Sequence, residues 1–489
     1  MAYTKAPAIS TNSSERIDFV YNSQARSADT PEVDSRFLNV MVENLPSPIG
    51  QNSRAVIKSR PGMSSLYTLS GGIGRALYYW VFSNVSYIVA VCGDKVSING
   101  TILQTLTTTT GAVGFVEHVD DLGVVTLFMC DGDKGYVFTN PTLAPTLITD
   151  VNFPSPHVPM PIFMDGYIFV AKSNSQDIYN SELNVLTSWT QTGSPMYISA
   201  EMYPDTVQGL AKNNNYIYAI GRGSIEYFYD SANAVGSPLA REASAVLQFG
   251  TIAPRTIIQT SKEVILVGET GNAGHTVWTI DGFKEKEIST SAIRSILLKE
   301  GTLLPEAVGS VVRVSSQKLY ILKLTTRTLV YSFDTELWSE WASGTDNNSN
   351  FFGTLLCDGP GGAALALLSS GVTVAEMNED TFLDVDQAIY CQVVTPKYDF
   401  GTINRKTMSR LALVGDVPDS TGVDNTFTIY WTDDDYKTWS AGRSLTFNYD
   451  FPVISQLGNF RRRAFKIVYN APHLVRLDEI EVDINKGSS

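Results

Sequence analysis

Two adjoining stretches between Tyr216 and Ile293 constrain the fold most, because both read as hairpins apolar on both faces. Tyr216, Tyr218 and Ile220 alternate with Ile217 and Ala219, Gly221-Arg222-Gly223 turns the chain, and Ile225-Glu226-Tyr227-Phe228-Tyr229 returns it. The plan repeats with Val264–Gly268, a glycine-rich turn through Gly271 and Gly274, the run Thr276–Ile280, and a tight turn at Asp281-Gly282. A single hairpin buries too little surface to stand alone, so such units must stack on neighbours.

Stacked four-stranded units account for most of the chain. Strand runs at 76–81, 87–92 and 96–98 make nearly one unit, and 113–117, 124–130, 135–139 and 146–149 make a second around the turn Asp131-Gly132-Asp133. A third opens at 161–171, continues through Ile178-Tyr179 and closes near Trp189. The two hairpins supply the fourth and fifth. A sixth runs through 311–314, 319–322, 328–333 and 338–341, and runs at 351–357, 363–368 and 372–377 form a further unit or complete one opened by an N-terminal strand. Spacings of about 40 to 50 residues with four strands each predict an all-β chain built on a β-propeller of six or seven blades. An array of all-β sandwiches is the alternative, and only 292–300 reads as a helix.

The ends differ from this middle. Residues 1–54 are rich in Ser, Asn, Asp and Pro until Phe37–Glu43 and read as an N-terminal arm, with a disordered tail as the alternative for the first thirty. The strand-like Phe37–Glu43 can pair within the chain or with a second subunit. The propeller is expected over 55–383. From 384 to 489 the strands lengthen, at 388–396, 406–415, 425–431, 443–449, 463–469 and 476–484, and predict a C-terminal β-sandwich.

Charge and composition narrow the function classes. The formal net charge of −14 argues against clamping nucleic acid, since that affinity comes from Lys and Arg neutralising phosphates. The polar start lacks the apolar core of a signal peptide, and the most apolar run, 78–92, is too short to span a bilayer, so a soluble protein is expected. Cys92, Cys130, Cys357 and Cys391 are scattered and read as reduced core residues.

Catalytic constellations are thin. His118, His157, His275 and His473 stand far apart without metal-ligand spacing, and no GxSxG, HExxH or P-loop occurs. Asp120, Asp121, Asp131 and Asp133 suit either a cation or the turn-capping that Asp does in blade turns, and the second reading leads. Thr432-Asp433-Asp434-Asp435-Tyr436-Lys437-Thr438-Trp439 resembles an Asp box of sialidase-like propellers, without the usual Gly and outside the propeller; that box is structural. Catalytic residues, metal ligands and cofactors are therefore expected to be none. Arg461-Arg462-Arg463 is the only dense basic cluster. In a strand its outer two arginines face one way and the middle one the other, so carboxylate pairing between subunits or domains is expected ahead of a solvated edge or DNA phosphates.

Seven segments in order carry a resemblance: Asn39–Glu43 with Arg60-Pro61-Gly62, Gly223–Tyr229, Phe249–Ala253, Ile288–Ile293, Leu329–Tyr331, Trp338 with Trp341, and Gly458–Phe465. They span about Phe37 to Ile484, and the first 36 residues carry no part of it. The chain resembles the tail hub, or nozzle, proteins of short-tailed bacteriophages, also described as packaged-DNA stabilisation proteins. The resemblance implies a propeller with an accessory β domain, assembled as a homo-hexameric ring in the virion tail after synthesis in the host cytoplasm, with no stable membrane insertion. Docked on the portal-adaptor complex, such a ring carries tail spikes or fibres and is closed by a plug or needle protein or by its own loops. It retains packaged double-stranded DNA and conducts it during ejection without sequence-specific binding. An acidic channel suits that task, because it repels phosphates where a basic lining would grip them. Arg60, Glu226, Arg461, Arg462 and Arg463 are candidate assembly residues, and the loops at Gly271, Gly274, Gly359 and Gly362 are candidate gates. The rivals are a propeller glycosidase or depolymerase and a receptor-binding module of a phage tail.

Overall fold

The structure, a computed structural model, describes residues 12–19, 36–45, 54–270, 274–344, 349–369, 372–416, 425–447, 452–470 and 473–487. Strands dominate, and the chain divides into two compact units, each made of separate stretches. Unit one comprises Met1–Ser64, Arg327–Phe351 and Glu379–Ser489; unit two comprises Ser65–Thr326 and Phe352–Asn378.

Unit two carries the repeated sheets. The first is Gly74–Phe82, Val85–Cys92, Lys95–Ile98 and Thr101–Thr105, and the second Gly114–Val119, Val125–Cys130, Gly135–Phe138 and Thr146–Leu147. Ile162–Met164, Tyr167–Ala171, Asp177–Asn180 and Tyr197–Ser199 form the third; Gly209–Asn213, Tyr216–Ile220, Ile225–Asp230 and Leu239–Leu247 form the fourth. Ile258–Gln259, Val264–Thr270, Gly274–Asp281 and Lys284–Glu287 form the fifth. All five are antiparallel meanders, and the pair Val308–Val314 with Gln317–Lys323 and the triplet Gly353–Asp358, Ala364–Leu368 and Thr373–Met377 follow. The first strands of these seven sheets neighbour one another in chain order, and that of the seventh meets that of the first. Tyr78 stacks on Phe115 at 5.4 Å where the first two sheets meet, which completes a closed circle.

Alternation explains the stacking. Each blade's two faces bury different residues: Tyr218 and Tyr227 belong to one core with Val264 and Leu266 of the next sheet, while Ile217 and Phe228 belong to another with Phe169 and Ile178 of the previous one. Sheets apolar on both sides can be satisfied only by a neighbour on each side, and a circle of sheets supplies both. Ser291–Glu300 is an α-helix, as the spacing predicts, capped by Thr290 Oγ1, which accepts from Ile293 N at 3.3 Å.

Unit one departs from the expected boundaries at 54/55 and 383/384. One sheet runs Val40–Leu45, Arg54–Ser59, Arg476–Lys486, Lys406–Gly415 and Val453–Phe460, with Asn12–Asp18 also paired to Arg476–Lys486. Thr328–Ser332, Trp338–Trp341, Arg36–Leu38, Cys391–Val394, Ala464–Tyr469, Asn425–Thr432 and Arg443–Phe447 form the second. Val42, Ile57, Leu411 and Ile480 of one sheet and Phe37, Val393, Ile429 and Ile467 of the other share a single apolar core. Strands read as arm and as propeller thus lie in the unit of the C-terminal strands. The physical reason is pairing: Leu38 lies opposite Glu340 on one side and Gln392 on the other, and Ile57 lies opposite Leu477.

Candidate functional site

Arg60 stands at the end of Arg54–Ser59 and is fully buried in unit one. Its Nε donates to Asn39 Oδ1 at 2.9 Å, Nη1 to Asp384 Oδ1 at 2.9 Å and to Pro61 O at 3.0 Å, and Nη2 to Asp384 Oδ2 at 2.5 Å and to Ala342 O at 3.1 Å. Those bonds use all five guanidinium N–H groups. Trp341 and Phe351 lie 5.5 and 5.0 Å from its Cζ, ring centroid to carbon. Asn39 completes the arrangement from a left-handed backbone (φ 55°) that Asn tolerates: Nδ2 donates to Ala342 O and Tyr390 O, both at 2.9 Å, and Oδ1 also accepts from Ala342 N. A guanidinium so enclosed has nothing to offer another subunit. Arg60 is therefore an internal tie among three distant stretches, and the expected assembly role is corrected.

The arginine triplet splits in another way than strand alternation predicts. Residues 461–463 lie between Val453–Phe460 and Ala464–Tyr469, strands of different sheets, so the triplet is a crossover. Arg463 is buried, donating from Nε and Nη2 to both oxygens of Asp433 at 2.8 and 2.7 Å and from Nη1 to Leu457 O at 2.9 Å, with Phe460 4.3 Å from its Cζ. Its carboxylate partner belongs to its own unit, which corrects the expected pairing between subunits or domains for this residue. Arg461 and Arg462 are exposed; Arg461 donates to Ile403 O at 2.8 Å, and Arg462 pairs with Asp435 at 3.1 Å, beside Lys397. They remain on the surface.

The Asp-box-like run behaves as a turn. Asp434 accepts from Thr438 N at 3.0 Å and from the hydroxyls of Thr432 and Thr438, and these bonds pull its carboxyl down to about 2.

In unit two, Glu226 is buried and accepts from Met202 N at 3.0 Å, with Arg241 Nε 2.9 Å from its other oxygen at an angle too poor for a hydrogen bond. Burial pushes the Glu226 carboxyl up against the pull of Arg241. The pair fastens two strands of the same sheet, so Glu226 too is corrected from assembly to interior. Sequence reasoning passed over Asp205, whose carboxylate accepts from the backbone N–H groups of Arg222, Gly223 and Ser224 at 3.0, 2.7 and 3.1 Å. It clasps the turn of the first hairpin from a loop seventeen residues away in sequence. The Asp120 and Asp131 carboxylates likewise cap local turns. His118 and His157 are buried and bonded to backbone groups, and no group of three metal-ligating side chains occurs among the described residues.

A cavity of about 820 Å³ lies against the first strands of the first five sheets, walled in part by Tyr78, Glu117, Phe163, Lys212 and Gln259. Tyr78 Oη donates to Glu117 at 3.2 Å, burial pushes that carboxyl up, and Lys212 Nζ donates to Phe163 O at 3.2 Å. Of the candidate gating glycines, Gly271 lies outside the described residues. Gly274 (φ 75°) and Gly362 (φ 86°) turn in open space, while a Cβ on Gly359 would sit 2.8 Å from Leu365 Cγ. Gly274 follows the second strand of its sheet and Gly359 and Gly362 follow the first strand of theirs, and in a meander those turns fall at opposite ends.

A circle of stacked meanders joined to a two-sheet unit defines a β-propeller protein without a recognisable catalytic centre among its described residues. A family model described as "Bacteriophage P22 Gp10, beta-propeller" matches residues 30–358, and the chain belongs to that phage stabilisation family. The match bears out the resemblance to packaged-DNA stabilisation proteins, although the Gly458–Phe465 segment lies beyond it. No curated protein matches the chain. Similar solved structures include the Cps50 (Swd1) β-propeller domain of Myceliophteria thermophila, 9% identical over 64% of this chain and 99% of that one, TM-score 0.37. Another is the extracellular domain of BT4673, a proposed one-component system from B. thetaiotaomicron, 12% identical over 86% of this chain and 61% of that one, TM-score 0.40.

Proposed function

We propose that this protein is a structural subunit of a phage tail: six copies form a ring that extends the portal-adaptor channel, retains packaged DNA and conducts it at ejection. The observation that carries the reading is membership of the phage stabilisation family over residues 30–358. The ring docks on the adaptor, carries spikes or fibres outside and is closed by a plug, a needle or its own glycine turns. It is a virion component made in the host cytoplasm.

In this reading the DNA path lies on the axis between copies rather than through the propeller of any one of them. The net charge of −14 suits a passage that repels phosphates. Mass photometry of the purified protein, with and without the adaptor complex, tests the assembly. Six copies of the 53.5-kDa chain, about 320 kDa, alone or only on the adaptor, is the expected result. A monomer indifferent to the adaptor would overturn it and make glycan cleavage and receptor binding the next assays.

A further inference from the structure

The strand Asn12–Asp18 is held as a peptide ligand is held, and we infer that in the assembled ring it lies on Arg476–Lys486 of the neighbouring copy. The inference rests on the ring proposed above and adds the surface and its occupant. Asn12–Asp18 pairs antiparallel with Arg476–Lys486 over its full length, with Ile17 opposite Ile480. It is recognised by side chains as well as backbone: Ile17 and Phe19 are buried in the unit-one core, Arg16 lies 2.9 Å from Glu479 and 3.8 Å from Glu481, and Lys486 donates to Glu15 at 3.0 Å. Register, two apolar anchors and opposite charges together make this a specific strand-addition site. Without the added strand, residues 479–485 would present an open sheet edge, since Arg54–Ser59 pairs only with 476 and 477 on that side.

Whether the strand comes from its own chain or from the next, the contacts are the same. Sixteen residues separate Phe19 from Arg36, enough to reach up to about 55 Å. A closed ring requires two different complementary surfaces on every subunit. The strand and its edge are such a pair, already matched in register and charge, and exchanging them joins subunits without any further apolar surface.

Paired cysteines distinguish the two arrangements. Ser14 lies opposite Asp483 and is exposed, whereas native Cys92, Cys130 and Cys391 are buried and Cys357 is half-buried. The S14C/D483C protein is assembled, its native mass is measured, and it is then oxidised and run on a non-reducing denaturing gel. Exchange predicts a ladder of covalent multimers up to six chains, absent from oxidised wild type. A ring of normal native mass that yields only single chains carrying the internal disulfide overturns the exchange while leaving the ring reading intact. Absence of a ring in wild type, both alone and with the adaptor complex, overturns both. R16C/E481C, also opposite each other, serves as the second reporter should the first pair hinder folding.

Discussion

Asp384→Asn is the sharpest test of how unit one is held together. The change keeps the shape of the side chain and removes the counter-charge of Arg60, which is fully buried and bonded on every donor. The new amide also turns a donor towards a guanidinium that has only donors. Removing one partner of a buried pair costs ~3–5 kcal/mol, because the remaining charge stays desolvated. The contacts of Trp341 and Phe351 with the guanidinium remain and do not replace the lost carboxylate. For a unit of about 150–250 residues this predicts a fall in melting temperature of roughly 6–20 °C. Urea unfolding followed by tryptophan fluorescence reads it, since Trp341 lies against the site. Replacing both partners, as in Arg60→Met with Asp384→Leu, should be milder than the sum of the single changes by about 2 kcal/mol. A loss under ~1 kcal/mol for Asp384→Asn, or additive single changes, would show that the pair is not the tie described.

Gly62→Ala should cost about 1–3 kcal/mol, because its Cβ would come within 2.6 Å of Leu383 N; an unchanged urea midpoint would contradict that packing. Asp205→Ala should cost about 2–3 kcal/mol by releasing three backbone N–H groups, with Asp205→Asn milder, measured by the same unfolding curves. Glu117→Gln should stabilise at neutral pH: burial raises the folded carboxyl, so its ionised form weighs against folding above the unfolded range, and the advantage over wild type should vanish on acidification. The thiols of Cys92, Cys357 and Cys391, pushed up by burial to about 11, 12 and 12, should react with iodoacetamide at neutral pH only on unfolding.

Hairpins with strong alternation and Asp or Gly turns were legible in the sequence: 124–130 with 135–139 and 264–268 with 276–280 stand as Val125–Cys130, Gly135–Phe138, Val264–Thr270 and Gly274–Asp281. The first strands of the fourth and fifth sheets, Gly209–Asn213 and Ile258–Gln259, escaped notice because they are short and lack periodicity. So did Val453–Phe460, whose buried positions do not alternate. Arg60 was visible but misread, since Arg-Pro-Gly looks like a surface turn and its carboxylate stands 324 residues away. Charged groups declare their partners only locally; Arg463 and Glu226 face the same limit. Arg463 and Asp433 stand thirty positions apart, and no periodicity in the sequence links them.

The interleaving of the two units sets a timetable for synthesis. Strands Val40–Leu45 and Arg54–Ser59 leave the ribosome early, yet the strand that joins them to the rest of their sheet, Arg476–Lys486, is among the last segments made. At ~5–20 residues per second, that is a wait of roughly 20–80 s. The five complete meanders of unit two can form during the interval, each from residues close in sequence. The earliest strands can pair with each other meanwhile, but Val40 and Ile57 must wait uncovered for the C-terminal strands that share their core. Chaperone demand should therefore fall on the first sixty residues, and truncations from the C-terminus should aggregate through them even where the propeller itself is whole.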